Sequence, residues 1–118
     1  MKEPQDSSER RVARRVIRSL LIGAYEQGEG RLRAEDYAGA VYHFEIATEI
    51  APDNPRLFFS LACAQALAGQ KGRALQTLRR AIEKGFKDLE SITTNRALDS
   101  LRKEAVYIEI VNSLKKEP

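Results

Sequence analysis

Apolar side chains return at helical spacing soon after a polar start. From Glu9 onward they recur every three or four residues, at Val12, Val16, Ile17, Leu20, Leu21 and Ala24. This spacing places them on one face of an amphipathic α-helix. No strong stop signal precedes Gly28 or Gly30, so we expect a helix from Glu9 to about Arg33.

Turn residues then divide the chain at regular intervals. We expect a second helix over residues 36–50, ended by the two prolines and the Asp-Asn pair of residues 51–55. A third helix, about residues 56–68, closes at the glycines of residues 69–72. A fourth, about residues 73–84, stops at Gly85, which we expect in the left-handed conformation. No β-strand alternation stands out, and the predicted class is all-α.

The remaining C-terminal residues predict shorter helical pieces. Residues 89–92 are compatible with one turn of helix, and residues 93–95 are compatible with the cap of a last helix. That helix is expected to reach about Lys115, with a break near Lys103.

An internal repeat appears when the sequence is shifted by 34 residues. Small residues fall on small ones and large on large: Gly28 on Ala62, Ala40 on Ala74, Phe44 on Leu78, and Ala47 on Ala81. Small residues let paired helices approach closely, and large ones fill the gaps beside them. A period of about 34 residues with two helices per unit is typical of a helical repeat array.

On these positions the chain resembles the tetratricopeptide repeat family over residues 21–86. The first half of the first unit departs from the pattern, with Ala24, Gln27 and Arg31 where larger apolar residues are usual. The resemblance implies antiparallel helix pairs stacked as a short right-handed α–α superhelix. We therefore predict a polar tail or linker at residues 1–8 and a single domain at 9–118. Within the domain we place repeats at about 21–52 and 55–86 and capping helices at 88–116.

Two repeats are fewer than the about three that usually bury a continuous core, so the flanks are expected to supply surfaces. Residues 12–21 would extend the first helix or cap that end of the stack. The C-terminal residues would pack on the fourth helix through Leu98, Leu101, Val106, Ile108 and Val111.

The resemblance also implies a concave groove, lined mostly by the first helix of each pair, that binds a peptide or helix of a partner protein. Helical geometry predicts which residues line it: Tyr25, Glu29, Leu32, Arg33, Arg56, Phe59, Ser60, Cys63 and Ala66. We call these nine residues the predicted groove. Phe59 is the informative one, because Phe58 already faces the core. The alternative is that Phe59 and Tyr25 pack against residues 12–21 or the C-terminal helix.

Some members of the family bind the C-terminal carboxylates of chaperones through lysine and asparagine side chains. The matching positions here hold Tyr25, Glu29 and Ser60. We therefore do not expect this chain to bind chaperone tails.

The amino-acid composition is compatible with the predicted all-α repeat domain. Apolar residues make up 42% and charged residues 31%, as in ordinary globular domains. The single cysteine, Cys63, excludes an intramolecular disulfide. Residues 1–15 lack the apolar core of a signal peptide, and no run reaches the about 20 apolar residues that span a bilayer. The expected location is the cytoplasm, although the polar start is also compatible with a domain cut from a longer protein.

Charge concentrates in one stripe on the first helix. Arg10, Arg11, Arg14, Arg15 and Arg18 lie opposite Val12, Val16 and Leu20. Such a stripe is compatible with phosphate contacts to nucleic acid or an anionic lipid surface. We favour a solvated face that pairs with nearby acids such as Glu9 or Asp6, because no aromatic residues interleave it.

No residue pattern supports catalysis, a metal site or a cofactor. His43 is the only histidine and has no triad or metal partner nearby in sequence, and the Gly28-x-Gly30 pair lacks the strand and lysine of a phosphate loop. We expect no enzyme, no metal and no cofactor, and an unidentified protein or peptide as partner. The alternatives are an accessory domain of a larger enzyme, a homodimer, or a basic-helix adaptor for nucleic acid or membrane.

Overall fold

The computed structural model describes residues 7–116, and this part of the chain is helical throughout, without β-strands. Six α-helices and one 3-10 helix, η1, follow one another in it: α1 (Ser8–Arg33), α2 (Tyr37–Ile50), α3 (Pro55–Leu67), α4 (Lys71–Glu83), α5 (Leu89–Thr94), η1 (Arg96–Leu101) and α6 (Ala105–Lys115). The all-α prediction is confirmed, and the first four helices lie within about two residues of their predicted bounds.

Local capping explains where these helices begin. The Oγ of Ser7 accepts a hydrogen bond from the N–H of Arg10 at 3.1 Å, and the carboxylate of Asp36 accepts one from the N–H of Gly39 at 3.0 Å. Asn54 caps α3 in the same way, and Pro55 occupies the first helical position, where its missing N–H costs nothing. Side chains at the predicted turns thus fix the helix starts.

The C-terminal end of α4 follows the prediction for Gly85. This glycine has φ +111°, in the region that favours glycine. The chain reverses there, and the N–H of Phe86 donates to the carbonyl of Ala81 at 2.9 Å. The turn directs Phe86 back against the repeats.

Helices α1 and α2 form one close pair and α3 and α4 a second, with α2 packed on α3. Gly28 makes the first pair possible. A Cβ atom at this position would lie 2.6 Å from the Cε1 of Phe44, whose side chain is fully buried. The repeat pattern had matched Gly28 with Ala62 and Phe44 with Leu78. Ala62 and Leu78 are fully buried, as Phe44 is. The predicted small and large positions are therefore the packing positions.

The C-terminal segment covers the second repeat. Ile92, Leu98 and Leu101 are fully buried in a cluster with α3 and α4. The predicted break near Lys103 is confirmed, but the piece before it is the 3-10 helix η1, not part of an α-helix. The prediction that Ile108 packs inward is wrong, because its side chain is 47% exposed. The segment packs mainly on α3 through η1, with fewer contacts to α4.

The opposite end of the molecule is uncovered. Every residue of α1 from Ser8 to Leu20 is exposed, so this part extends the helix beyond the repeat and does not cap the stack. The radius of gyration is 16.5 Å. A compact domain of this length is expected to have about 13–14 Å. The long first helix accounts for the elongated shape.

Candidate partner-binding groove

Three residues of α1 form one side of the predicted groove. The half-buried ring of Tyr25 lies 5.9 Å from that of Phe44, centroid to centroid, at an interplanar angle of 58°. The Tyr25 hydroxyl donates a hydrogen bond to the carboxylate of Glu29, one turn further along the helix. Leu32 packs beside Tyr25 against the buried cluster of α2 and α3. These contacts hold the aromatic ring at the edge of the core, with its polar end outward.

Burial and the neighbouring charged groups both shift the pKa of Tyr25. Burial raises the pKa of Tyr25, and the negative charge of Glu29 and the hydrogen bond to it raise that pKa further, while the positive charge of Arg56 opposes them. The hydroxyl therefore remains a hydrogen-bond donor at neutral pH, with an acidic and a basic group beside it.

Arg56 connects this side to the start of α5. Its charge acts on Tyr25 and also lowers the pKa of Asp88, although the hydrogen bonds from Ser91 are the main causes of that lowering. The Oγ of Ser91 donates to Asp88 at 2.6 Å and the N–H of Ser91 at 3.0 Å. Charged groups of both signs therefore influence one another from Glu29 on α1, through Arg56 at the start of α3, to Asp88 at the N-terminal cap of α5.

Phe59 does not lie in an open groove. Its side chain is only 8% exposed and stacks on Phe86, with ring centroids 4.4 Å apart and an interplanar angle of 12°. Cys63 and Ala66, on the same side of α3, are buried in the same cluster. The prediction that these three residues are accessible is wrong for this structure. The alternative holds only in part, because the stacking partner Phe86 lies in the turn after α4 and not on residues 12–21 or the C-terminal helix, although residues of that helix belong to the same buried cluster. The 3-10 helix η1 packs on α3, so the C-terminal segment covers the inner side of α3, which carries Phe59, Cys63 and Ala66.

The thiol of Cys63 has low reactivity in this position. Burial, with a smaller contribution from the charge of Glu29, raises the pKa of its thiol to about 12. Because the thiolate is the reactive form, the buried thiol is a poor nucleophile at neutral pH. It acts as a small packing residue.

What remains accessible is a smaller surface between α1 and α3. It consists of Tyr25, Glu29, Leu32, Arg56 and Ser60, and we call it the open groove. Tyr25, Glu29, Leu32 and Ser60 are half-buried, and Arg56 is exposed. Arg33 is exposed at the end of α1, and among the contacts described none joins it to the other groove residues.

A cleft lies on the outer side, between α2 and α4, in a place where the sequence patterns predicted no site. This cleft has a volume of about 580 Å³, with Phe58, Leu61 and Gln65 of α3 among its lining residues. Gln65 is 4% exposed, and within residues 7–116 its Oε1 has no hydrogen-bond partner. The available signal in the sequence was a glutamine one helical turn after Leu61, on the same face of α3.

Other candidate chemistry is not assembled in the part of the chain that is described. His43 is half-buried, and its ring contacts that of Tyr42 edge to face, with centroids 5.1 Å apart. Within residues 7–116, no group of three or more His, Cys, Asp or Glu side chains is placed to hold a metal ion. Over the same residues, none of the helices is long and apolar enough to cross a bilayer.

Comparison with known families agrees with the paired helices. The family model described as tetratricopeptide repeat matches residues 31–93, more than half of the chain. Neither the curated proteins nor the solved structures give a match. The chain belongs to the tetratricopeptide repeat family, whose repeats generally mediate protein–protein interactions.

Proposed function

We propose that this chain is a protein-interaction module that binds a peptide or a helix of a partner protein in the open groove. Membership of the tetratricopeptide repeat family supports interaction with a protein in general. The partner segment we propose is short, because the C-terminal segment occupies the inner side of α3. The contact would therefore be made between α1 and α3.

The observation that carries the proposal is the arrangement around Tyr25. A half-buried aromatic ring carries a hydroxyl that donates to the carboxylate of Glu29, and the positive charge of Arg56 acts on the same hydroxyl. Aromatic residues and arginine are enriched at protein interfaces, because they combine a large apolar area with directed hydrogen bonds. The neighbouring Leu32 adds apolar surface. Such a surface fits a segment with one apolar anchor between polar groups of both signs.

A binding role agrees better with these side chains than a catalytic one. The Cys63 thiol is buried and held protonated, and the His43 ring contacts Tyr42 rather than an acid or a nucleophile. A mechanism needs a nucleophile, an acid and a base within reach of one another. We therefore propose no enzymatic activity for residues 7–116.

The experiment is a peptide-display selection on the full chain, followed by affinity measurements on two variants. Ser60→Arg places a long side chain in the open groove. Ser100→Arg is the matched control, because Ser100 is exposed on η1 and the change is the same. We expect selected peptides to lose at least about tenfold in affinity with Ser60→Arg, since a blocked anchor commonly costs more than about 1.4 kcal/mol. The control should retain the wild-type affinity.

Two results would contradict this proposal. Peptides that bind wild type and Ser60→Arg equally would place the binding surface elsewhere. A chain that dimerises by light scattering, and that Ser60→Arg returns to a monomer, would make a second copy the occupant of the groove in place of an outside partner.

A further inference from the structure

The N-terminal part of α1 carries large apolar side chains that nothing in the described chain covers. We call residues 8–20 the helix extension. All of its residues are exposed, and its four largest apolar side chains are each half or more exposed: Val12 at 51%, Val16 at 51%, Ile17 at 51% and Leu20 at 58%. Isolated helices of this length are marginal in water. The extension continues a helix that the first repeat anchors, and it presents its apolar residues to solvent.

The extension has an apolar face and a basic face. At 3.6 residues per turn, the apolar residues from Val12 to Ile17 cover an arc of about 140° that also holds Ala13, Val16 and Leu20, and Glu9, in the first turn, falls within the same arc. The five arginines cover a second arc of about 140° on the other side of the helix, from Arg10 to Arg15, without an apolar residue among residues 8–20 falling inside it. Helices that lie flat in a membrane interface have this arrangement of a basic and an apolar face.

The charge of the helix extension itself is mostly positive, and Glu3 and Asp6 precede it in the sequence. Glu9 is the only acid of the helix extension, and residues 10–25 contain no carboxylate, while five arginines fall within residues 10–18. An exposed cationic face of this density attracts anionic surfaces. The partner therefore needs negative charge as well as an apolar layer.

An anionic lipid surface uses both faces together, whereas two other partners would use only one. A second copy would cover the apolar arc, but the arginines of both copies lie on the other side of each helix and would face away from the contact. Nucleic acid would neutralise the arginines and leave four large apolar side chains in water. An anionic lipid surface accepts the apolar arc among its acyl chains and offers phosphates to arginines at the edge of that arc.

We propose that the helix extension binds in the plane of an anionic lipid surface, as a peripheral contact. The apolar arc enters the boundary between headgroups and acyl chains, and Arg15, at the edge of the basic arc, extends to the lipid phosphates. The repeats and the open groove then stand beside the surface, because α1 is one continuous helix. This contact uses other residues than the open groove and does not depend on the function proposed above.

The test is co-sedimentation of the full chain with vesicles of phosphatidylcholine alone and of phosphatidylcholine with 30% phosphatidylglycerol. We expect binding to the anionic vesicles that weakens as salt rises. Val16→Ser with Leu20→Ser should reduce the partition coefficient at least about tenfold, through lost apolar burial. Replacement of Arg14, Arg15 and Arg18 by Gln should reduce it about a hundredfold, because each arginine near such a surface contributes close to a factor of five.

Matched controls make the same chemical changes elsewhere. Tyr42→Ser with Ile108→Ser removes two other exposed apolar side chains, at 61% and 47% exposure. Gln at the exposed positions Lys71, Arg73 and Arg96 removes three charges. Both controls should bind anionic vesicles within about twofold of wild type. Soluble glycerophosphoglycerol should not compete, because the apolar arc gains nothing from a free headgroup.

Three results would overturn the proposal. The first is wild type that does not bind the anionic vesicles at low salt. The second is binding that Val16→Ser with Leu20→Ser leaves unchanged, which would be attraction to any polyanion. The third is a dimer by light scattering that the same double variant dissociates, together with no vesicle binding, which would make a second copy the occupant. Circular dichroism should show native helix content in each variant, because the changed residues are exposed.

Discussion

The two ends of this short repeat stack differ in whether their apolar side chains are buried. At the C-terminal end, residues after the second repeat fold back, and Ile92, Leu98 and Leu101 are three of the five largest fully buried side chains among residues 7–116. At the N-terminal end, α1 continues past its partner helix. Five of the eight large apolar side chains that are exposed in the same residues lie on α1. The apolar side chains of the C-terminal end are therefore part of the core, and those of the N-terminal end form an exposed surface.

The difference shows what a terminal repeat requires. A repeat buries only the faces that its neighbours cover, so each end of an array presents an apolar side. The C-terminal segment supplies apolar side chains to the second repeat, and its Tyr107 hydroxyl donates to the carbonyl of Ile92 at 3.1 Å. The N-terminal end combines its apolar arc with five arginines, which keep an uncovered helix solvated or direct it to an anionic partner.

Thiol reactivity should show the largest difference between the ends. In a Val16→Cys variant, we expect the new cysteine to react with a small alkylating reagent about a thousandfold faster than Cys63 at pH 8. The reason is that the pKa of the Cys63 thiol is raised from 9.0 to about 12, which lowers the thiolate fraction by that factor. Mass spectrometry of the two peptides from one sample measures both rates. Similar rates would mean that the C-terminal cover opens readily.

The same thiol predicts the direction of a pH effect. In the unfolded chain it loses its proton near pH 9 and in the folded protein only near pH 12. The unfolded state therefore holds fewer protons above pH 9, and the contribution of this group lowers the free energy of unfolding as pH rises through that window. Below pH 9 the group should have no effect.

Loss of leucine side chains should give the next largest contrast. Leu98→Ala should lower the free energy of unfolding by about 2–5 kcal/mol, because it empties part of a fully buried cluster. Leu20→Ala removes the same atoms from a side chain that is 58% exposed and should change the stability by less than about 0.5 kcal/mol. Urea unfolding measures both. Equal losses would show that the helix extension has a packing partner in solution.

Alanine substitutions at two glycines of α1 should show, through their effects on stability, where the exposed part of the helix ends and the packed part begins. Gly28→Ala should destabilise by about 1–3 kcal/mol, since the new methyl group would displace the buried ring of Phe44. A Cβ atom at Gly23 would meet nothing within 4 Å. Gly23→Ala should therefore stabilise by about 0.5–1 kcal/mol through helix propensity alone. Thermal unfolding distinguishes the opposite signs, and destabilisation by both would place the boundary before Gly23.

Much of the fold was predictable because it depends on local signals. Capping residues such as Asp36 and Asn54, the prolines of the turn before α3 and the left-handed Gly85 act within a few residues of themselves. The 34-residue match of small and large positions predicted the pairing of α1 with α2 and of α3 with α4. The region after Gly85 was predicted less well, since η1 and the outward position of Ile108 result from packing on α3.

Part of the predicted groove could likewise be derived from the sequence, and part was decided only by the tertiary structure. The family resemblance together with helical spacing predicted that Tyr25, Glu29, Arg56 and Ser60 line one groove. Helical spacing predicted that Phe58 and Phe59 point to different sides of α3. Tertiary structure decided that Phe59 stacks on Phe86 while Tyr25 stays half-buried. The periodicity of one helix fixes which of its residues share a face, but the face is open or closed according to whether a distant segment covers it. That outcome depends on the packing energy of the whole chain.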